Sequence, residues 1–139
     1  MAIGITKLDA TVVEAAESVA ASSIEWASDT GGTVLNAGTT EIYTGVTLQV
    51  SVAFHADAVG DGILHVRHSA DSGTTEDTED VSTYAKTIAV VPSTTIIVSY
   101  HIPYMFDYLD VGMENEDAAE VLTWSCKYVG SKLTGLATV

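Results

Sequence analysis

The residues best suited to chemistry in this chain are four histidines, but their spacing argues against a shared metal ion. His65 and His68 lie three residues apart in ILHVRHS. In a β-strand, side chains three apart point to opposite faces, so these two could share an ion only across a bulge. His55 and His101 fall on the polar faces of two other predicted strands, and would be neighbours if those strands paired. We interpret all four as surface or rim histidines, because the ligand clusters of a zinc site are missing.

Acidic segments are the second candidate for chemistry, because calcium is bound by about six to eight oxygen atoms that often come from closely spaced loop positions. The segment 70–80, ADSGTTEDTED, has five carboxylates and no base. The stretches 57–61 and 114–117 also offer oxygens, but none of the three has EF-hand spacing. We interpret them as solvated and predict no bound metal. The calcium candidates that the segment 70–80 retains are Asp71, Glu76, Asp77, Glu79 and Asp80.

Catalytic motifs are missing from the sequence, which contains no Gly-x-Ser-x-Gly, P-loop or His-Glu-x-x-His pattern. A pair of acids could serve a glycosidase, but an acidic protein offers such pairs by chance. Cys126 is the single cysteine, which excludes an internal disulfide and a multi-cysteine zinc site. It lies in an apolar run, so we expect a buried thiol that packs as a small hydrophobe. The sequence therefore predicts a protein that is not an enzyme and needs no cofactor.

Aromatic residues cluster around Pro103, and they allow three interpretations. They could form a platform for a sugar or a contact with another protein, because aromatic side chains give large contact area at low entropic cost. Alternatively, half of them belong to the core. The cluster consists of Tyr100, Tyr104, Phe106 and Tyr108.

The charge of the chain excludes several partners. Nineteen acids against five lysines and arginines give a net charge of −14. Such a chain repels phosphate backbones and anionic lipids, so we expect neither nucleic acid nor membrane as a partner. The N-terminus lacks the pattern of a signal peptide, and no apolar run reaches membrane-spanning length. We therefore expect a protein made in the cytoplasm.

Alternation with a period of two residues predicts that the fold is all-β. The chain of 139 residues fits one domain. Alternation is clearest at 46–55, and it recurs at 94–101, 108–114 and 121–129. Seven or eight short strands with no amphipathic helices between them indicate an antiparallel β-sandwich or jelly-roll-like fold. The residues predicted to be buried together between the two sheets are Val50, Val52, Ile96, Val98, Val111 and Trp124.

The first 22 residues are predicted to form an extended N-terminal arm, followed by one sandwich domain at 23–139. Asp9 could cap a helix over Ala10–Ala21, but β-branched residues at the start of that stretch oppose it. We favour an arm with at most a short helix, which contacts neighbouring subunits by adding to a sheet edge or by lying along a partner. The alternative is that the arm packs on its own sandwich and only shields it. The predicted partner contacts are Thr11, Val12 and Val13 in the arm, and Tyr104 and Phe106 near Pro103.

Five stretches follow one another along most of the chain. They are the Ala-rich arm VVEAAESVAASS, the strand TLQVSVAFHA, the acidic loop HSADSGTTEDTED, and the closing strands YLDVGMENED and VLTWSCKYVG. In this order they resemble the small β-sandwich structural proteins of tailed bacteriophage virions. Among these, head decoration (cement) proteins are the most similar.

The resemblance implies a non-enzymatic virion protein that binds the outside of the capsid and stabilises it. It implies a homotrimer whose partners are the major capsid protein or other virion subunits. Phage tail and adaptor proteins have similar sandwiches, so a tail or adaptor subunit is one alternative. A carbohydrate- or receptor-binding sandwich is another, and an acidic hydrolase is a more distant one.

Overall fold

The computed structural model describes residues 4–7, 11–27, 43–69, 84–102 and 108–134, and within these ranges every regular element is a β-strand. The strands are β1 Gly4–Lys7, β2 Thr11–Val19, β3 Ser23–Trp26, β4 Tyr43–Phe54, β5 Gly62–Ser69, β6 Tyr84–Ile88, β7 Thr95–Ile102, β8 Tyr108–Asn115 and β9 Leu122–Thr134. Neighbouring strands are antiparallel throughout, which confirms the predicted all-β class. Within the same ranges, no helix is long and apolar enough to span a membrane.

The strands pair in a nested order. Strand β2 pairs with β9, β3 with β8, β4 with β7 and β5 with β6, as in one long hairpin. Additional pairing of β4 with β9 and of β5 with β8 rolls this hairpin into two sheets. Sheet 1 has the order β1/β2–β9–β4–β7, and sheet 2 has the order β3–β8–β5–β6. This is the jelly-roll arrangement, so the predicted antiparallel sandwich or jelly-roll-like fold is confirmed.

The core lies between the two sheets and is built by the alternating residues of the central strands. Every second residue of β4 is buried, from Val46 to Phe54. Of the six predicted core residues, Val50, Val52, Val111 and Trp124 are fully buried. Ile96 and Val98 point the same way but are only partly buried against the core. Their strand, β7, lies at the edge of sheet 1, where the facing sheet covers them less.

The N-terminal segment supplies the outer strand of sheet 1. Strand β4 pairs along one edge of β9, and β1 and β2 pair along the other, at residues 131–134 and 122–128 respectively. Val19, at the end of β2, is fully buried. The alternative of a helix over Ala10–Ala21 is therefore wrong, because backbone pairing with β9 holds residues 11–19 extended.

Strand β2 is irregular in a way that suits an edge. Its register against β9 shifts twice, between Val12 and Glu14 and between Glu14 and Glu17. Such bulges twist an edge strand and interrupt the row of groups that another strand could pair with. The domain boundary after residue 22, and a role of the arm in contacts with other subunits, stay predictions.

We expect Trp124→Ala to lower the free energy of unfolding by about 3–5 kcal/mol, because this side chain is fully buried in β9. Its indole N–H has no hydrogen-bond partner among the described residues. Trp124→Phe removes no hydrogen bond, so it should cost clearly less. Urea denaturation of both variants, with the exposed-site variant Val59→Ala as control, measures the difference. A Trp124→Ala variant as stable as the control would contradict this packing.

Candidate functional site

One end of the sandwich is held together by the carboxylate of Asp117, in the β8–β9 connection. Its Oδ2 accepts hydrogen bonds from the N–H groups of Val59, at 2.6 Å, and Gly60, at 2.9 Å, in the β4–β5 connection. Its Oδ1 accepts from Ala119 and Glu120 at 2.9 and 2.8 Å. These four hydrogen bonds, those from Glu120 and Ala119 first, hold the pKa of the buried carboxyl well below its usual range. Asp117 therefore fixes both connections as an anion.

Asn115 extends this bracing to the N-terminal strand. Its Nδ2 donates to the carbonyl oxygens of Val19, at 3.2 Å, and Glu120, at 2.8 Å. Its Oδ1 accepts from the N–H of Asp117 at 3.0 Å. Gly60 permits the close approach of the two connections, because a Cβ there would lie 2.3 Å from the backbone nitrogen of Asp117.

These contacts change the interpretation of two acidic stretches as calcium ligands. In the stretch 114–117, oxygens of Asn115 and Asp117 accept hydrogen bonds from backbone N–H groups. In the stretch 57–61, Oδ1 of Asp61 accepts from the N–H of Val90 at 2.8 Å. The sequence offered these oxygens as possible calcium ligands and predicted that they are solvated, but Asn115 and Asp117 are buried and bind backbone N–H groups, so the solvated interpretation is wrong for these two residues.

Three ionisable side chains meet at the same end of the sandwich. The Nδ1 atom of His55 lies 3.0 Å from Oε2 of Glu120 and 3.9 Å from Oδ2 of Asp57. One ligand atom from each residue lies within 4.8 Å of the other two. His55 is not near His101, because the β4–β7 register places His101 opposite Thr47, towards the other end of β4. The expected neighbourhood of the two histidines is therefore wrong.

A second polar cluster lies on the outer face of sheet 2. The Nε and Nη2 atoms of Arg67, in β5, donate to Oδ2 of Asp110, in β8, at 3.0 and 2.8 Å. The guanidinium carbon lies 3.7 Å from the ring centroid of Trp26, in β3, a cation–π contact. Asp110 is buried although it points away from the core. The planar guanidinium thus joins three strands by charge and by stacking.

Gly112 and His65 complete this cluster. A Cβ on Gly112 would lie 2.7 Å from the ring of Trp26, so the glycine lets the indole cross β8. His65 is within hydrogen-bonding distance of Glu114, with 2.6 Å between Nε2 and Oε2. Its side chain is only 13% exposed, so His65 is partly buried on the outer face of sheet 2 and is not a freely exposed surface histidine. The acids and bases of the cluster pair with each other, as expected of a structural network.

The outer face of sheet 1 differs from the rest of this acidic chain, because no acidic side chain points outward from the described parts of β4, β7 and β9. Val12 and Ile97 are 55% and 62% exposed beside a groove of about 300 Å³. The groove is lined by Val12, Glu14, Ala15, Gln49, Ser51, Ile97, Ser125, Cys126 and Lys127. We call this surface the sheet 1 face.

Cys126 is one of the residues that line this groove, but its thiol is buried on the core side of β9. Burial raises its pKa to about 12, and the charge of Glu14 adds to the rise. The prediction of a buried thiol is confirmed.

Most of the remaining site residues predicted from sequence have side chains that the structure does not describe. Thr11 and Val13 belong to β2, but only Val12 among the three has a described side chain. Tyr104, Phe106, Tyr108 and the five calcium candidates Asp71, Glu76, Asp77, Glu79 and Asp80 have no described side chain, so those predictions are untested. Tyr100 packs against the core, with its ring centroid 6.2 Å from that of Tyr84. This fits the interpretation that part of the aromatic cluster is core.

No family model matches the chain, and no curated protein matches it. Among solved structures, the chain is similar to one reported under the description "Bacillus endospore appendages form a novel family of disulfide-linked pili". The match covers 95% of this chain and 91% of that chain, with 10% sequence identity and a TM-score of 0.44. A likeness at that score supports no conclusion about function.

We expect Asp117→Asn to lower the melting temperature at neutral pH, because the amide can replace neither the charge nor all four accepted hydrogen bonds. The native pKa is depressed, so the stabilisation is complete above the unfolded value of about 3.9 and is lost as the pH falls below it. The difference in melting temperature between wild type and variant should therefore shrink from pH 7 towards about pH 3. Glu116→Gln, in the same connection and exposed, is the matched control. A pH-independent difference would contradict the role of the charge.

We expect Arg67→Met to cost about 3–5 kcal/mol of unfolding free energy, because it leaves the buried Asp110 carboxylate without its cation. The double variant Arg67→Met/Asp110→Leu removes both charges and should recover part of that loss. Chemical denaturation of the two variants gives the comparison. Equal instability of the single and double variants would show that the ion pair is not the cause.

Proposed function

We propose that this protein is a non-enzymatic structural subunit of a tailed-bacteriophage particle. In this proposal it binds the outside of the head as a capsid decoration protein. The observation that carries the proposal is the sheet 1 face, whose strands β4, β7 and β9 carry no outward acid, although the edge strand β2 contributes Glu14 and Glu17, in a chain with a net charge of −14. The resemblance in the order of sequence features supports a phage particle as the assembly.

Electrostatics favours this face as the contact surface. Two copies of a strongly acidic chain repel each other, and like charges brought together at an interface oppose binding. The outward side chains of β4, β7 and β9 are mostly Ser, Thr, Gln and Ala, with Lys127 and His101 as the ionisable groups. Val12 and Ile97 add exposed apolar contact area beside the groove. A neighbouring virion subunit therefore meets little repulsion there.

The area of the sheet 1 face suits a subunit that binds at many equivalent positions of a capsid lattice. A face of four strands, each about eight residues long, covers roughly 500 Å² at normal strand spacing. Covering it with a flat partner buries roughly 1,000 Å² in total, near the lower limit for a specific interface. One such contact is weak, but simultaneous contacts by the members of an oligomer add avidity.

The internal networks support a module that folds before it binds. Asp117 and Asn115 brace one end, and the pair Arg67–Asp110 joins the strands of sheet 2. These contacts lie within one chain. A rigid module of this kind loses little conformational entropy on attachment to a preformed shell.

The proposal predicts that a capsid gene lies near the gene of this protein, and the test is binding of the purified protein to empty heads assembled from the product of that capsid gene. We expect a trimer by light scattering and saturable sedimentation with the heads. Ile97→Asp should keep the wild-type melting temperature and weaken binding by at least about tenfold, because it adds an acid to the sheet 1 face. Val59→Asp, exposed at the end of the sandwich, is the matched control and should bind normally.

Other outcomes decide against the proposal in defined ways. Sedimentation with tails instead of heads would identify a tail or adaptor subunit. A monomer that binds neither heads nor tails would overturn the virion assignment. Loss of binding in both variants would show that added acid acts through overall charge and not through the sheet 1 face.

A further inference from the structure

We propose that His55, Asp57 and Glu120 form a binding site for a divalent transition-metal cation such as Zn²⁺. The site lies at the end of the sandwich where the β4–β5 and β8–β9 connections meet. It does not depend on the proposed virion role, and it does not involve the sheet 1 face.

The ligand set fits a zinc-type cation. An imidazole nitrogen with two carboxylate oxygens is a combination that Zn²⁺ binds, whereas Ca²⁺ takes about six to eight oxygen atoms. In a tetrahedral site with bonds of about 2.0–2.1 Å, ligand atoms lie roughly 3.3 Å apart. Nδ1 of His55 lies 3.0 Å from Glu120 and 3.9 Å from Asp57. The Asp57 side chain is 82% exposed, so it can rotate to bring its carboxylate oxygen from 3.9 Å to about 3.3 Å from Nδ1 of His55.

The Nδ1 atom of His55 lies between a hydrogen-bond donor and a carboxylate oxygen, an arrangement that a positive charge on Nδ1 would stabilise. Its Nδ1 lies 3.2 Å from the N–H of Asp57, a donor, and 3.0 Å from a carboxylate oxygen of Glu120, an acceptor. One ring nitrogen cannot accept from the first and donate to the second at the same time. If the lone pair is free, it faces the carboxylate and is repelled. Either a proton or a metal cation on Nδ1 removes this repulsion and replaces the hydrogen bond from Asp57, and the experiment below separates the two.

The backbone fixes the ligands before any cation arrives. The carbonyl oxygen of His55 accepts hydrogen bonds from the N–H groups of Ala58, at 3.2 Å, and Ser93, at 3.3 Å. The N–H of Glu120 donates to Asp117, which also binds the β4–β5 connection. The two connections that supply the ligands are therefore already braced against each other, and cation binding costs little ordering. Three protein ligands leave a coordination position for water or for a group of another molecule.

The test is calorimetric titration of the EDTA-treated, dialysed full-length protein with ZnCl₂, and separately with CaCl₂. We expect saturable one-to-one binding of Zn²⁺ with a rise in melting temperature, and no comparable effect of Ca²⁺. His55→Asn and Glu120→Gln should each weaken Zn²⁺ binding by at least about tenfold. Asp57→Asn is the variant least able to disturb folding, because its side chain is exposed, and it should weaken binding in the same direction.

His101→Asn and Glu116→Gln are the matched controls, and both should bind Zn²⁺ as the wild type does. Co²⁺ gives an independent readout, because its visible absorption band in the wild-type protein should weaken in His55→Asn. The proposal is overturned if Zn²⁺ does not bind, which leaves a protonated His55–Glu120 pair as the explanation. It is also overturned if binding survives His55→Asn, or if His101→Asn abolishes it equally.

Discussion

The structure depends on backbone hydrogen bonding along both edges of β9. This strand carries Leu122, Trp124 and Cys126 into the core, so its backbone N–H and C=O groups are removed from water and must be paired. Strand β4 pairs along one edge, and, among the described residues, 4–7 and 11–19 pair along the other. The other strand pairs are nested inside this outermost one, so the roll is complete only when the two ends of the chain meet. The braces of Asn115 and Asp117 lie beside that junction, and Asn115 bonds directly to the end of β2.

The alternation of apolar and polar residues correctly predicted the strands whose outward residues are small and polar. It failed where contacts with other strands bury residues that point away from the core. The facing of β4, β7 and β9 follows from their period of two residues. Strand β2 was taken for an arm because its Ala- and Glu-rich sequence and its two bulges hide any alternation. On sheet 2, alternation correctly placed Asp110 on the outer face, but it could not show that Trp26 and Arg67 cover it. Burial outside the core depends on partners from other strands, which no local pattern contains.

The candidate sites were harder to predict than the fold, for the same reason. His55 and Asp57 are two residues apart, and that spacing was the only local signal, since Glu120 joins them through the packing of a distant connection. Conversely, the acids near Asp117 were predicted to be solvated, because composition does not reveal that backbone N–H groups already bind their oxygens. The low-acid surface of sheet 1 was implicit in the alternating Ser, Thr and Gln of β4 and β9. It became visible as one surface only when the strand order placed those residues side by side.

The position of β9 in the roll also has a consequence for protein synthesis. Strand β9 is the last described strand to leave the ribosome, yet it is an inner strand of sheet 1, between β2 and β4. Until residue 134 has emerged, β2 and β4 lack the strand that separates them, and the apolar side chains of β4 stay exposed on the nascent chain. Exposed strands of this kind are prone to aggregate. The high negative charge of the chain, which makes nascent copies on neighbouring ribosomes repel one another, protects it during this interval.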